Sequence, residues 1–249
     1  MKSMVLLRER SERTRMMDPD ERSWVVVSRC ARFLKKRLAS IQLWLSAMRA
    51  VPPWNRGLGP VRGRFLVTGA SGVGKSTVAA VLSTCGYHAI DADERLAYAV
   101  SRADGSKVDL LHHANRDWFN ECSWIWDQQK MEKLLNDSGD QALFICGNAD
   151  NEAEFHVFFD AIFWLYVSES TLRRRLLKRS KKDPTRHPGY ISKALLENRN
   201  MKRKAQDDPY WIAVDSEQGL SETVRSILSW SAQRGGPGDP RTPRNYKTV

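Results

Sequence analysis

Residues 69–77 read Gly69-Ala70-Ser71-Gly72-Val73-Gly74-Lys75-Ser76-Thr77, with three glycines, a lysine and a closing hydroxyl pair inside nine positions. The pattern G-x-x-x-x-G-K-[ST] is suited to holding polyphosphate. Glycines let the backbone turn tightly with its N–H groups facing inward, and a following helix adds the positive end of its dipole. Lys75 is placed to reach the terminal phosphates of a nucleoside triphosphate, and the Ser76 hydroxyl to bind Mg²⁺. All nine residues are candidate cofactor-binding positions for ATP.

Two carboxylates one residue apart, Asp91 and Asp93, follow a short apolar run. At the edge of a parallel sheet such a pair can serve a Mg²⁺ water shell through Asp91 and a substrate hydroxyl through Asp93. A plainer reading has Asp93 capping the next helix, with Glu94 in its first turn. The apolar run Phe144-Ile145 ends in Cys146-Gly147-Asn148, with no acid where many phosphate-loop proteins carry one for magnesium. Magnesium chemistry then falls to Asp91 or Asp93. Gly147 allows close approach to a substrate, and Asn148 and Asn151 can hydrogen-bond it; an ordinary polar loop is the competing reading.

Arg175 and Arg179 lie four residues apart and share a helix face. With Arg173, Arg174 and Lys178 they precede a basic, Pro- and Gly-punctuated segment at 181–189. That combination suits a short lid whose arginines stabilise charge on a transferring phosphoryl group. A solvated charged helix is the alternative. Arg199, Lys202, Arg203 and Lys204 form a second basic helix end.

The elements that must position these residues alternate. Apolar runs predict strands at 64–68, 87–91, 142–146, 161–167 and 211–214. Helices are expected at 75–85, 93–101, 126–136, 155–159, 169–180, 190–205 and 220–232, with Ser168 as an N-cap. Continuous apolar strands separated by helices argue for an α/β fold of three layers: a five-stranded parallel sheet with helices on both faces. The Trp-rich stretch at 102–125 is unassigned; it lines an acceptor pocket or packs as a buried helix contact.

The chain of 249 residues carries a net charge of +11, and the charge is unevenly placed. Residues 1–64 hold +10, residues 65–230 hold −2 and residues 231–249 hold +3. A basic nucleic-acid surface on the central region is therefore not called for, and no nucleic acid is required as a partner. Residues 1–60 read as a basic extension, partly disordered, in which 23–50 can form an amphipathic helix. Such a helix can pack, touch an anionic surface or belong to a targeting segment. Residues 61–232 form the catalytic domain and 233–249 a disordered tail. The four cysteines lack C-x-x-C spacing, which fits a reducing compartment and a cytoplasmic protein. No apolar stretch reaches the roughly 18–20 residues of a membrane span.

Taken together, the motifs resemble the P-loop kinases of the nucleoside-monophosphate kinase and shikimate/gluconate kinase group. The carriers are 69–77, the D-x-D element at 91–93, and an apolar strand followed by Ser168-Glu169-Ser170-Thr171-Leu172 and Arg175-x-x-x-Arg179. More narrowly, Trp126-Asp127, Leu143–Asn148, Asn151, Phe155, Phe159-Asp160 and Val214-Asp215 are similar to small AAA-class ATPases described as broad-specificity nucleoside-monophosphate kinases. The resemblance spans about 64–230 and implies an ATP-dependent small-molecule kinase using Mg²⁺, with Lys75, Asp93, Arg175 and Arg179 as catalytic residues. It implies Arg175 near the ATP base or phosphates, Asp93 as the acceptor-binding acid, and Asp91 beside Ser76 at the metal. A nucleoside monophosphate is the first acceptor it suggests, and a hydroxylated metabolite the second. Cys146-Gly147 departs from the acid-Gly pair of adenylate kinases. A nucleotide-binding switch acting through a partner is the competing class; no N-K-x-D element supports a GTPase.

Overall fold

The computed structural model describes residues 60–109, 118–179, 183–207 and 210–234. The described residues lie in the unit Trp54–Val249, the second of two into which the chain divides. The expected N-terminal helix at 23–50 and the tail from 235 lie outside the described residues.

The second unit is built on a sheet of five strands: β1 (Arg64–Thr68), β2 (His88–Asp91), β6 (Leu143–Cys146), β7 (Ala161–Tyr166) and β8 (Trp211–Asp215). Their order is β2-β6-β1-β7-β8, with every neighbouring pair parallel. Side chains alternate across a strand, and both faces are apolar. Phe65, Val67, Phe144, Phe163 and Leu165 join one buried cluster, and Leu66, Leu143, Ile145 and Ile162 join another. This is why these strands read as unbroken hydrophobic runs.

The first face is covered by α1 (Lys75–Thr84), α5 (Glu169–Leu177), α6 (Pro188–Asp207) and α7 (Leu220–Arg234). Val78, Leu82, Leu172, Ile191 and Leu228 are their buried contacts. The second face is covered by α4 (Gln128–Asp137), through Met131 and Leu135, and by the 3-10 helix Glu152–Phe158, through Phe155. Local chemistry sets the helix starts: Ser168 caps α5 by accepting from the Thr171 N–H, and Asp127 caps α4 by accepting from the Lys130 N–H. The bidentate Arg199–Glu169 pair linking α6 to α5 is exposed. Water screens it, so the buried leucines and isoleucines hold the two helices together.

The structure departs from expectation between residues 92 and 126. In place of a helix at 93–101 there is one turn, α2 (Ala92–Arg95), and then strand β3 (Ala97–Ser101). The unassigned Trp-rich stretch supplies β4 (Lys107–Val108), α3 (Trp118–Glu121) and β5 (Cys122–Trp126). The strands make a separate antiparallel sheet in the order β4-β3-β5. Trp126 is the last residue of β5, and the helix expected to begin there starts at Gln128. The reason is pairing. Ala97 to Ser101 meets Trp126 to Cys122 residue for residue, and ladder bonds with aromatic cross-strand packing outweigh the weak helical preference of Ala97-Tyr98-Ala99-Val100.

Gly147 fastens the small sheet to the large one. A Cβ at this position would lie 2.6 Å from Ala92 Cβ and 3.2 Å from the Trp126 ring. Neither neighbour is the tip of a flexible chain. Gly147→Ala is expected to lower stability by about 1–3 kcal/mol, the usual cost of overpacking, as read by urea unfolding at constant m-value.

Candidate active site

Residues 69–74 join β1 to α1 at the carboxyl edge of the parallel sheet. Ala70 and Val73 are fully buried and anchor the loop in the core, closed by a turn in which Val73 N donates to Ala70 O at 3.3 Å. All three loop glycines take a positive φ. Gly69 has φ 143°, and a Cβ on it would fall 2.5 Å from the Leu165 carbonyl oxygen; Gly74 caps α1 at φ 119°. Ser76 and Thr77 sit exposed in the first turn of α1. The result is a helix N-terminus and a ring of backbone N–H groups suited to anions.

Lys75 is buried, and its Nζ donates to Gly69 O at 2.6 Å and to Ala70 O at 3.2 Å. Asp91 ends β2 opposite Cys146 of β6. Its carboxylate caps α2 by accepting from Asp93 N at 3.1 Å, and it faces the Ser76 hydroxyl. The capping role that the plainer reading gave Asp93 thus belongs to Asp91. Asp93 lies in the first turn of α2, and its Oδ1 accepts from Trp124 Nε1 at 3.4 Å. The two acids therefore face different partners, Asp91 the phosphate loop and Asp93 the small sheet.

The remaining candidates divide. Asn148 donates from Nδ2 to Gly69 O at 3.3 Å and to Glu197 Oε1 at 2.5 Å, so it stands at the loop. Asn151 instead docks β5: its Oδ1 accepts from Trp126 N at 2.9 Å and its Nδ2 donates to Trp126 O at 3.1 Å. Arg179 Nη1 donates to Ser71 Oγ at 3.2 Å and to Thr185 Oγ1, which keeps it at the phosphate loop. Arg175 braces the backbone, with Nη1 donating to Val73 O at 2.8 Å and Nη2 to Ser216 O at 3.1 Å. In this arrangement its guanidinium serves loop carbonyls, whereas the resemblance placed it against ATP. Partial burial lowers its pKa, a shift opposed by Glu217.

Several site residues carry no motif of their own. Tyr190 on α6 faces Ser71, Glu197 on the same helix reaches Asn148, Trp124 reaches Asp93, and the buried Ser216 donates from Oγ to Val73 O at 2.8 Å. The period-two pattern of Cys122-Ser123-Trp124-Ile125-Trp126 and the two-turn spacing of Tyr190 and Glu197 were the available signals. Among the described residues there is no cluster of three or more His, Cys, Asp or Glu side chains suited to a metal ion. A hydroxyl and one carboxylate in contact are nonetheless hard oxygen donors of the kind Mg²⁺ uses when phosphates and waters complete its shell. Ser76 and Asp91 fit that description. No described helix is long and apolar enough to cross a membrane.

Burial raises the Asp91 pKa, with repulsion from Asp93 in the same direction, while the Ser76 hydrogen bond is the main opposing effect. A raised folded-state pKa means the fold favours the protonated acid. Asp91 thus contributes stability below its unfolded pKa of about 3.9, and that contribution is lost as pH rises through the folded value. Asp91→Asn keeps a competent cap and removes the buried anion. The nucleotide-free variant is expected to melt above the wild type at pH 7, with the difference shrinking toward pH 4, as measured by calorimetry. Its Mg·ATP affinity should fall at the same time.

A family model described as AAA domain matches residues 66–204. A search of curated proteins finds no match. Among solved structures the chain is similar to a gluconokinase from Sinorhizobium meliloti 1021, with TM-score 0.42 and 21% identity over 70% of this chain and 94% of that one. It is also similar to a deoxyadenosine kinase from M. mycoides, with TM-score 0.39 and 15% identity over 67% and 97% of the two chains. A shikimate kinase from Bacteroides thetaiotaomicron gives TM-score 0.39 and 14% identity over 68% and 98%. The family match runs from β1 through the phosphate loop, the acid pair and the arginine helix into α6. With its five parallel strands and P-loop NTPase architecture, the chain belongs to the AAA domain family.

Proposed function

We propose that the protein transfers the γ-phosphoryl group of ATP to a small acceptor, with a nucleoside monophosphate as the first candidate. The observation that carries this reading is the division of the acid pair. Asp91 faces Ser76 on the donor side, while Asp93, two residues on, is held by Trp124 on the wall of the small sheet. A nucleotide switch needs the first arrangement; a kinase needs both within reach of one phosphate.

The residues take roles accordingly. Loop N–H groups and the α1 N-terminus hold the β- and γ-phosphates, and Lys75 exchanges its loop carbonyls for phosphate oxygens. Ser76 and Asp91 would hold Mg²⁺, which when bound neutralises charge on the phosphates. Asp93 orients the acceptor through one of its hydroxyls. The acceptor oxygen, a phosphate oxygen of a nucleoside monophosphate or a hydroxyl oxygen of a metabolite, bonds to Pγ as the bond from Pγ to the β-bridging oxygen breaks and ADP leaves; a hydroxyl acceptor gives its proton to Asp93 or solvent. Arg179, close to Ser71, stabilises the charge that develops. Most of the rate enhancement comes from positioning and electrostatics rather than from a strong base.

A second reading takes a hydroxylated metabolite as acceptor. It is favoured by the presence of two carboxylates, Asp93 and Glu197, which both act electrostatically on Tyr190 at the loop mouth; carboxylates accept from hydroxyl donors. The test is ADP release from Mg·ATP against a panel of nucleoside monophosphates and hydroxylated metabolites. One acceptor class is expected to stimulate release. Lys75→Ala should lower the stimulated rate about 100-fold or more, the scale of losing one preorganised charge contact. Asp93→Asn should lower acceptor-dependent kcat while Mg·ATP binding is preserved. Release indifferent to every acceptor overturns the kinase reading in favour of a switch or ATPase.

A further inference from the structure

The geometry points to Tyr190 and Glu197, two turns apart on α6, as positioning residues that set the conformation of the phosphate loop. This rests on the reading that the loop holds a nucleoside triphosphate, and it adds two residues outside the motif to the machinery that shapes it.

The two contacts are independent. The Tyr190 phenol faces Ser71, whose hydroxyl accepts from Arg179 Nη1 at 3.2 Å. Glu197 Oε1 accepts from Asn148 Nδ2 at 2.5 Å, and the same nitrogen lies 3.3 Å from Gly69 O. A seven-residue separation returns to the same helix face, so one stripe of α6 faces Ser71 and addresses Gly69 through Asn148. Tyr190 is itself clamped from the small sheet. Its ring stacks on Trp118 at a centroid distance of 5.4 Å and meets Phe119 edge-on at 6.0 Å. The phenol therefore has little freedom to leave Ser71.

The consequence concerns Lys75. Gly69 O is shared between Lys75 Nζ at 2.6 Å and Asn148 Nδ2 at 3.3 Å. When the ammonium moves to a phosphate, that buried carbonyl loses its stronger donor, and an unsatisfied buried acceptor is costly. Asn148 is the donor left to satisfy it, and Glu197 holds the Asn148 amide in line. Glu197 thus eases the release of Lys75 without touching the nucleotide. Tyr190 fixes the Ser71 side of the loop, so that its N–H groups converge before phosphate arrives. Burial keeps the phenol a donor, its pKa pushed up to about 12.

The experiment measures Mg·ATP binding by titration calorimetry on the full chain, alongside thermal unfolding. The variants are Tyr190→Phe, Glu197→Gln and Glu197→Ala. Phenylalanine keeps the stack on Trp118 and removes only the hydroxyl; glutamine keeps an oxygen able to accept from Asn148. Tyr190→Phe and Glu197→Ala are each expected to weaken Mg·ATP binding about 3- to 10-fold, the effect of losing a hydrogen bond of ordinary net strength. Glu197→Gln should restore most of the affinity, and all three should unfold within about 2 °C of the wild type, since both side chains are only partly buried and lie outside the main core. Wild-type affinity in both Tyr190→Phe and Glu197→Ala overturns the positioning role. Equal losses in Glu197→Gln and Glu197→Ala overturn the part assigned to the Asn148 hydrogen bond. A wild-type protein that binds no Mg·ATP overturns the nucleotide-binding reading itself, and this inference with it.

Discussion

A phosphate-binding loop turns its N–H groups inward, and the same turn drives its carbonyl groups outward into the protein. Buried carbonyls need donors, each unsatisfied one costing about 1–3 kcal/mol. The site is organised around that constraint. Gly69 O takes Lys75 and Asn148, Ala70 O takes Lys75 and the Val73 N–H, and Val73 O takes Arg175 and the Ser216 hydroxyl. These donors come from α1, the turn after β6, α5 and the turn after β8. Elements far apart in sequence converge because the outer surface of the loop must be satisfied before its inner surface can receive an anion.

The same constraint explains the structural role of Arg175 on α5. Arg175 bridges Val73 O and Ser216 O, and a delocalised guanidinium suits that geometry because it offers donors in a fixed fork. Arg179, one turn further along, falls beyond the carbonyls and reaches the Ser71 side chain instead. Arg175 within α5 and Arg179, two residues past its end, thus divide into a brace and a group at the mouth of the loop. The acid pair divides in the same manner. Asp91 is drawn to Ser76 at the end of its strand, and the tight turn of α2 carries Asp93 across to Trp124. Gly147 permits that turn by leaving room for Ala92 and Trp126.

Much of this was legible in the residues. The five parallel strands announced themselves as continuous apolar runs, since a strand covered on both faces has no polar side. The glycine-lysine loop follows from backbone geometry that few other residues allow. The antiparallel sheet did not show, because β3 and β5 are short, half-buried and stable only as partners. Ala97-Tyr98-Ala99-Val100 has a local preference too weak to decide against a helix without Cys122–Trp126 beside it.

The candidate site divides along the same line. Sequence alone determined the phosphate loop, the acid pair and the arginine pair, because each is a local pattern whose chemistry is read within a few residues. Tertiary structure alone decided which arginine braces the backbone, that Asn151 fastens β5, that Asp93 meets Trp124, that Tyr190 faces Ser71 and that Glu197 holds Asn148. Those assignments depend on which outward-facing carbonyl, hydroxyl or amide a side chain meets. That is a property of elements packed from positions up to 143 residues apart, as in the Ser216–Val73 contact, and it leaves no trace in local spacing.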